Sequence, residues 1–150
     1  MTGPRDALDV LDVEPQRHLG YLIRRAQQRH VATWARVAST ETTSVQYAIL
    51  AVLDRRGEAS QRELCDEVDL DRSTVADLLA RMERRGIVTR RRAAGDARRN
   101  VVTLTAMGLA ERRRLRPLVE QVQRELAEGM EPEEIAGLEA ALRTLLSAGA

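Results

Sequence analysis

The chain has 150 residues, of which 43% are hydrophobic and 31% are charged, and its formal net charge is +1. This length favours one domain with enough apolar side chains for a core, and the single cysteine excludes an intrachain disulfide. No apolar run approaches the roughly 18 residues of a transmembrane helix, and the amino terminus lacks a basic segment followed by an apolar one. We therefore expect a cytoplasmic protein without a metal or another cofactor.

The amino-terminal part of the chain divides into a tail and one long helix. Residues 1–14 are expected to form a flexible tail. From residue 15 to residue 38, apolar side chains recur at three- and four-residue spacing, which predicts an amphipathic helix that needs a partner surface. The stripe consists of Leu19, Leu22, Ile23, Ala26, His30, Trp34 and Val37.

Capping signals predict two shorter helices in the next segment. Thr43 followed by Gln46 fits a capping box and opens a helix that extends to Gly57. Ser60 followed by Glu63 fits a second capping box, which opens the helix SQRELCDEV. Residues 43–104 are accordingly assigned to one helix-rich region.

A fourth helix, DRSTVADLLARMERRG, is predicted to be capped by Asp71 and to end at Gly86, a C′ glycine. One face is apolar and must be buried; it consists of Val75, Leu78, Leu79 and Met82. The other face is left for a partner; it carries Arg72, Ser73, Thr74, Asp77, Arg81, Arg84 and Arg85. Such a mixture can donate to phosphates and read base edges in a major groove.

Two predicted strands, IVTRRRA and NVVTLT, follow this helix and reverse around Gly95 and Asp96. Five arginines crowd the tip of this hairpin: Arg90, Arg91, Arg92, Arg98 and Arg99. They would lie within reach of a phosphate backbone or of an adjacent minor groove. Asp96 is placed to hold Arg98 in an extended pose through a charge-assisted bond.

The charge distribution supports a nucleic-acid partner despite the small net charge. Residues 71–100 contain nine arginines and four acidic residues, whereas residues 119–150 contain two arginines and seven glutamates. Local charge sets the local potential, so the middle of the chain is expected to face double-stranded DNA. The expected DNA-contacting residues are Gln61, Arg72, Ser73, Thr74, Asp77, Arg81, Arg84, Arg90, Arg98 and Arg99, with Asp96 orienting the wing.

Two further helices are predicted at the carboxyl end. Thr105 caps a helix that runs to about Gly129, and Pro132 opens a final helix through Ala148. The final helix carries more apolar surface than a peripheral helix hides against its own chain: Ile135, Leu138, Leu142, Leu145 and Leu146. Residues 15–42 and 105–150 are therefore expected to form a dimerisation region around a two-fold axis. The alternative is that these stripes close the core of a monomer.

The run LDRSTVADLLARMERRGIVTRRRAAGDARRNVVTLTAMG resembles the signature of the MarR family of bacterial transcriptional regulators. It contains the D-x-R wing motif, Asp96 and Arg98, followed by V-x-L-T-x-x-G. The resemblance implies a mainly α-helical fold with a small β-hairpin wing (α+β), in which residues 43–104 form a winged helix-turn-helix DNA-binding region between N- and C-terminal dimerisation helices. It also implies a sequence-specific homodimeric regulator, most often a repressor, on an inverted-repeat operator.

The resemblance further implies a small-molecule effector. Relatives bind aromatic or phenolic acids between the dimer helices and the DNA-binding lobe, and some answer to aromatic acyl-CoA thioesters. The candidate lining residues here are Arg25, Arg29, His30, Trp34, Arg36 and Tyr47. The alternative is that Trp34 and His30 are core or interface residues.

Two other function classes stay open at this stage, and an enzyme is disfavoured. A redox-responsive regulator would be switched through Cys65, but the position of this residue in a short helix favours inert packing. A winged-helix protein-interaction module would use the arginine face on an acidic partner. His18 and His30 are the only histidines, and the sequence contains no glycine-rich phosphate loop.

Overall fold

The computed structural model describes residues 14–149, except for the side chains of Ala97 and Arg98. Residues 1–13 of the predicted tail lie outside the described residues. The described chain contains six helices and three strands, in the order α1 (Leu19–Val37), α2 (Ser44–Arg56), β1 (Glu58–Ser60), α3 (Gln61–Val68), α4 (Arg72–Arg84), β2 (Val88–Ala93), β3 (Asp96–Leu104), α5 (Ala106–Leu126) and α6 (Pro132–Ser147). This mainly helical architecture with a small sheet confirms the predicted fold class.

The helices begin where the capping residues predict. Thr43 and Ser60 each form a complete capping box, and Asp71 and Thr105 accept from the backbone N–H three residues later. Helix α4 ends in a Schellman motif, because Ile87 N donates to the Met82 carbonyl at 3.1 Å around a left-handed glycine, Gly86, with φ +75°.

The first helix is shorter than predicted. It starts at Leu19 rather than at residue 15, since the four residues before His18 form turns. The Glu14 carboxylate accepts a hydrogen bond from the Arg17 guanidinium at 3.1 Å and lies 3.2 Å from Nε2 of His18. These local bonds stabilise the turn. They are made by polar side chains, so a prediction from apolar periodicity does not include them.

The wing is a three-stranded antiparallel sheet with strand order β1-β3-β2. The predicted hairpin is present, with a two-residue turn at Ala94 and Gly95, and β3 already starts at Asp96 rather than at Asn100. The third strand, β1, was not predicted. It pairs Ala59 with Val102, and both side chains are buried.

Buried apolar side chains form two clusters. The larger one lies under the sheet and joins α2, α3 and α4 to β2 and β3 through residues such as Leu50, Leu64, Leu79 and Val102. The smaller one joins α1 to α5 and consists of Trp34, Ala38, Leu115 and Val122. The winged-helix unit therefore has a core of its own, and the helical arm formed by α1 and α5 has a second one.

Two apolar faces remain uncovered in the single chain. All residues of α6 are exposed except the half-buried Ile135, and its leucines at 138, 142, 145 and 146 are 41–69% exposed. The start of α1 exposes Leu19, Leu22 and Ile23. Within residues 14–149, the apolar face of α6 and the first part of the α1 stripe thus remain outside the core of the single chain.

Candidate nucleic-acid interface and effector site

The amino end of α4 is an exposed polar tip organised by Asp71. One carboxylate oxygen accepts from the Ser73 hydroxyl at 2.5 Å and from the Thr74 N–H at 3.1 Å, and the other accepts from the Thr74 hydroxyl at 2.5 Å. These bonds, that of Ser73 first, hold the pKa of Asp71 well below its usual range. Ser73, Thr74 and the neighbouring Arg72 are all exposed, as is Asp77 one turn further along the helix.

A cleft of about 440 Å³ lies between this tip, the start of α3 and the wing. It is lined by Ser60, Gln61, Arg62, Glu63, Arg72, Asp96, Arg99 and Asn100. Gln61 donates to the Arg72 carbonyl at 3.3 Å and thereby links the two helices of the helix-turn-helix. Three of the predicted DNA-contacting residues, Gln61, Arg72 and Arg99, therefore share one concave surface.

Several wing arginines are held by carboxylates of the helices beside them. Arg90 donates to both carboxylate oxygens of Glu83, at 3.3 and 3.1 Å, and this pairing lowers the pKa of Glu83. Arg99 approaches Glu63 at 3.4 Å. The ion pairs are exposed and contribute little to stability, but they keep long side chains extended at the wing. Arg81 and Arg84 of α4 are also exposed.

Of two further predictions for the interface, one concerns a side chain outside the described residues and the other is wrong. The side chain of Arg98, and with it the predicted contact to Asp96, lies outside the described residues. Arg85 was expected on the partner-facing side of α4, but it turns inward and donates to the Glu41 carbonyl at 3.1 Å and to the Thr42 hydroxyl at 3.0 Å. It lies at the C-cap of α4, where the inward and outward faces of the helix are no longer separated.

Three of the candidate effector residues form one aromatic cluster where α1 meets α2. The His30 and Trp34 rings meet edge to face with centroids 6.2 Å apart, and the Trp34 and Tyr47 centroids are 5.7 Å apart. Trp34 is 5% exposed, and its indole N–H donates to the Thr42 carbonyl at 2.7 Å. Trp34 is thus a core residue whose polar group already has a partner.

The three candidate arginines of α1 have other surroundings. Arg29 donates to the Glu125 carbonyl at 3.1 Å, and Arg36 pairs with the Glu125 carboxylate, which lowers the pKa of Glu125. Both therefore fasten α1 to α5. Arg25 is exposed on α1.

A residue that sequence reasoning missed, Arg112, completes the aromatic cluster. Its guanidinium lies over the Tyr47 ring at 4.9 Å and donates to the Tyr47 hydroxyl at 2.5 Å. Its Nε is buried without a hydrogen-bond partner among the described residues and lies 3.7 Å from an Asp54 oxygen. Helical spacing could have indicated its position, because Arg112 is four residues after Gly108 and three before Leu115, both of which are buried on the inner face of α5.

Cys65 belongs to the larger core cluster and is 9% exposed. Its position agrees with packing, because a redox-sensing thiol must be reached by the oxidant. No helix within residues 14–149 has both the length and the apolar character needed to traverse a bilayer.

Comparison with known proteins places this geometry in a family. The MarR family profile matches residues 40–99, which include all the lining residues of the cleft except Asn100 and most of the wing. The HTH-type transcriptional repressor NicR of Pseudomonas putida is 33% identical over 111 residues, which are 73% of this chain and 70% of NicR.

Solved structures extend the similarity beyond the winged helix. The PcaV transcriptional regulator of Streptomyces coelicolor, in complex with its natural ligand, is 35% identical with a TM-score of 0.87, and the match covers 92% of this chain and 98% of PcaV. BpsR of Bordetella bronchiseptica, whose DNA binding is regulated by 6-hydroxynicotinic acid, is 29% identical with a TM-score of 0.77 over 85% of this chain and 97% of BpsR. The chain thus belongs to the MarR family of DNA-binding transcriptional regulators, which are not enzymes.

Proposed function

We propose that this protein is a cytoplasmic homodimeric repressor that binds an inverted-repeat operator and leaves it when a small aromatic acid, or its CoA thioester, is bound. In each protomer, α4 enters the major groove and the wing arginines contact the phosphate backbone or the adjacent minor groove. The observation that carries the proposal is the single concave surface on which Gln61, Arg72 and Arg99 meet beside the exposed tip of α4.

The charge of this surface favours a polyanionic duplex. Arg72, Arg81, Arg84 and Arg92 are exposed, and the pairs of Arg90 and Arg99 with carboxylates can be exchanged for phosphates. A recognition helix with hydroxyl, carboxylate and guanidinium groups at its amino end has the chemistry needed to read base edges. A protein-interaction module would need an acidic partner for the same arginine face.

Dimerisation is supported by the uncovered apolar faces of α1 and α6. A second copy that covers both faces would bury leucines that are about half exposed in the single chain. A two-fold dimer also places two copies of α4 on successive turns of one DNA face.

An aromatic acid suits the surroundings of Trp34 and Tyr47. The two tilted rings offer an apolar wall, and Arg112 offers a cation with a buried Nε that lacks a hydrogen-bond partner among the described residues. A carboxylate beside this guanidinium would gain a charge-assisted bond. The ligand named for BpsR, 6-hydroxynicotinic acid, belongs to the same chemical class.

The test is a binding titration with duplexes selected by the purified protein from a random pool. We expect the affinity to fall linearly on a log–log plot against salt, with a slope of about −0.9 for each phosphate contact. Arg72→Ala and Arg98→Ala should weaken binding about fivefold or more and make the slope shallower. The matched control Arg116→Ala, an exposed arginine of α5 outside the cleft, should change neither the affinity nor the slope.

The same titration tests the effector. Adding benzoate, hydroxybenzoates, 6-hydroxynicotinate or their CoA thioesters should release the duplex for at least one compound, and that compound should raise the melting temperature of the free protein. Selection that yields no preferred sequence would refute the proposed DNA-binding role. Release by none of these compounds would refute the effector class alone.

A further inference from the structure

Thr42 lies at a buried junction between the helical arm and the winged-helix unit. It is fully buried in the connection between α1 and α2. Its carbonyl accepts from the Trp34 indole at 2.7 Å, and its backbone N–H donates to the Ser39 hydroxyl at 2.9 Å. The connection is therefore fastened to α1 at a defined position.

The side chain of Thr42 links two further helices. Its hydroxyl accepts from Arg85 at the C-cap of α4, at 3.0 Å, and donates to a carboxylate oxygen of Glu111 on α5, at 2.8 Å. The second guanidinium nitrogen of Arg85 donates to the Glu41 carbonyl at 3.1 Å. One hydroxyl thus connects the end of α4 with the arm helix α5, and both of its hydrogen-bonding roles are used.

Further charged contacts hold the side chains of Glu111 and Arg85 in place. Arg114 donates to both carboxylate oxygens of Glu111, at 3.0 and 2.9 Å, and together with the bond from Thr42 this holds the pKa of Glu111 below its usual value. Glu111 is therefore ionised near neutral pH. Arg85 has its guanidinium 4.0 Å from the nearer oxygen of Glu111.

This contact differs in kind from the buried apolar packing of α4. The buried side chains of α4, Val75, Leu79 and Met82, belong to the core inside the winged-helix unit. Apolar packing has no preferred direction, whereas charge-assisted hydrogen bonds fix orientation as well as distance. The link through Arg85 is thus a directional connection from α4 to both arm helices.

We infer that Thr42, Arg85 and Glu111 form a joint that fixes the orientation of α4 relative to α1 and α5, and thereby the half-site spacing that the dimer accepts. The inference rests on the proposed function, in which the arms set the two-fold axis and α4 enters the groove. Thr42 and Arg85 are positioning residues in this role. One base pair of extra spacing displaces a half-site by about 3.4 Å and rotates it by about 35°, so a stiff joint must reject it.

The experiment measures affinity for a series of duplexes that carry the selected half-site twice, with the spacing changed one base pair at a time. The wild type should prefer one spacing by about tenfold or more over its neighbours. Thr42→Val, which removes the hydroxyl and keeps the shape, and Arg85→Ala should reduce this preference by about fivefold or more. Thr42→Ser retains the hydroxyl and should restore the preference.

The controls separate positioning from stability and from contact with DNA. Arg113→Ala, which removes an exposed arginine of α5, should leave the preference unchanged. Arg84→Ala should weaken binding at every spacing alike. If Thr42→Val and Arg85→Ala keep the wild-type spacing preference, the joint has no positioning role, whether or not the two variants bind DNA more weakly overall.

Two outcomes separate this inference from the proposed function. A wild type that binds paired half-sites with one preferred spacing upholds the proposed function whatever the variants do. A wild type that selects no paired half-site overturns the proposed dimer on an inverted repeat, and the inference with it. Thermal melts of Thr42→Val and Arg85→Ala identify a variant that has lost its fold, and the other variant then decides.

Discussion

The hydroxyl groups of Ser73 and Thr74 both donate to the carboxylate of Asp71, at 2.5 Å each. An oxygen whose proton is committed in this way can only accept a hydrogen bond from a base. In the major groove the donors are the amino groups of adenine and cytosine. The tip of α4 is therefore expected to favour adenine or cytosine over guanine or thymine on the strand that it contacts.

Replacing Asp71 by asparagine should change this preference at one position of each half-site. Asparagine is an equally good N-cap, so the helix should keep its stability. The amide oxygen must stay opposite the Thr74 N–H, which places the amide nitrogen against the Thr74 hydroxyl and turns that proton outward. We expect a shift towards guanine or thymine of about fivefold in relative affinity, measured by selection and by titration of single substitutions.

The double variant D71N/T74V is the control for this prediction. It lacks the Thr74 hydroxyl, so it should show no shift towards guanine or thymine. An unchanged base preference in Asp71→Asn would mean that the hydroxyl protons do not determine what the tip reads.

Sequence patterns predicted the residues whose role is local and missed those whose role depends on a distant partner. Asp71 and Ser60 bond to groups three residues away, so spacing alone identifies them as caps. Arg85 bonds to residues more than 40 positions earlier. Nothing in the periodicity of α4 distinguishes this arginine from Arg84, because a long side chain at a helix end reaches either face.

At the scale of elements, the short helix α3 depends on its capping box. The Ser60 N–H donates to the Glu63 carboxylate at 2.7 Å, the Ser60 hydroxyl accepts from the Glu63 N–H at 3.2 Å, and Arg56 and Arg99 lie nearby. The backbone bond from Ser60 is the main reason that the pKa of Glu63 falls to about 2, from 4.5 in the free side chain. An α-helix of eight residues has little stability of its own, so this cap matters.

The cap makes the stability of the protein depend on pH. The pKa of Glu63 is lower in the folded state than in the unfolded state, so its contribution is complete above about pH 4.5 and is lost as the pH falls towards about 2. Glu63→Gln keeps a capping side chain but does not titrate, so it should show a shallower loss of stability over this range. Denaturant unfolding of both proteins at a series of pH values measures the difference.

The control for this pH dependence is Glu120→Gln, at an exposed position of α5, which should follow the wild type. Parallel curves of unfolding free energy against pH for the wild type and Glu63→Gln would show that the capping carboxylate contributes nothing to the pH dependence of stability in the acid range.

The helices were predictable from sequence because each carries its own periodicity and cap, whereas β1 was not. Three residues are too few for an alternating pattern, and their pairing partner in β3 lies about 40 positions later in the chain. The close approach of α5 to the wing was equally hidden. A side-chain carbon on Gly108 would lie 1.9 Å from the Ile87 carbonyl oxygen, so only glycine permits this contact.

For the whole molecule, the two cores explain how one chain can hold both a DNA-binding unit and a helical arm. The winged-helix unit closes its own core around Leu50 and Leu79, and the arm closes a smaller one around Trp34 and Leu115. The apolar face of α6 belongs to neither. The sequence predicted this surplus from the leucine spacing, but a pattern within one chain does not specify what covers it.

Leu142→Glu should convert the protein to a monomer, because Leu138, Leu142 and Leu145 share one face of α6 and a carboxylate there would be buried without a partner. We expect dimerisation to weaken by more than about a hundredfold, which corresponds to about 3 kcal/mol. Light scattering after size exclusion should give twice the 16.8 kDa chain mass for the wild type and the single mass for the variant.

Ala140→Glu adds the same charge on the opposite side of the helix and should remain dimeric. Since the winged-helix core is independent of α6, the variant should still bind a single half-site weakly while it loses the advantage of the paired site. A wild-type monomer, or a Leu142→Glu variant that stays dimeric, would place the dimer contact elsewhere or remove it altogether.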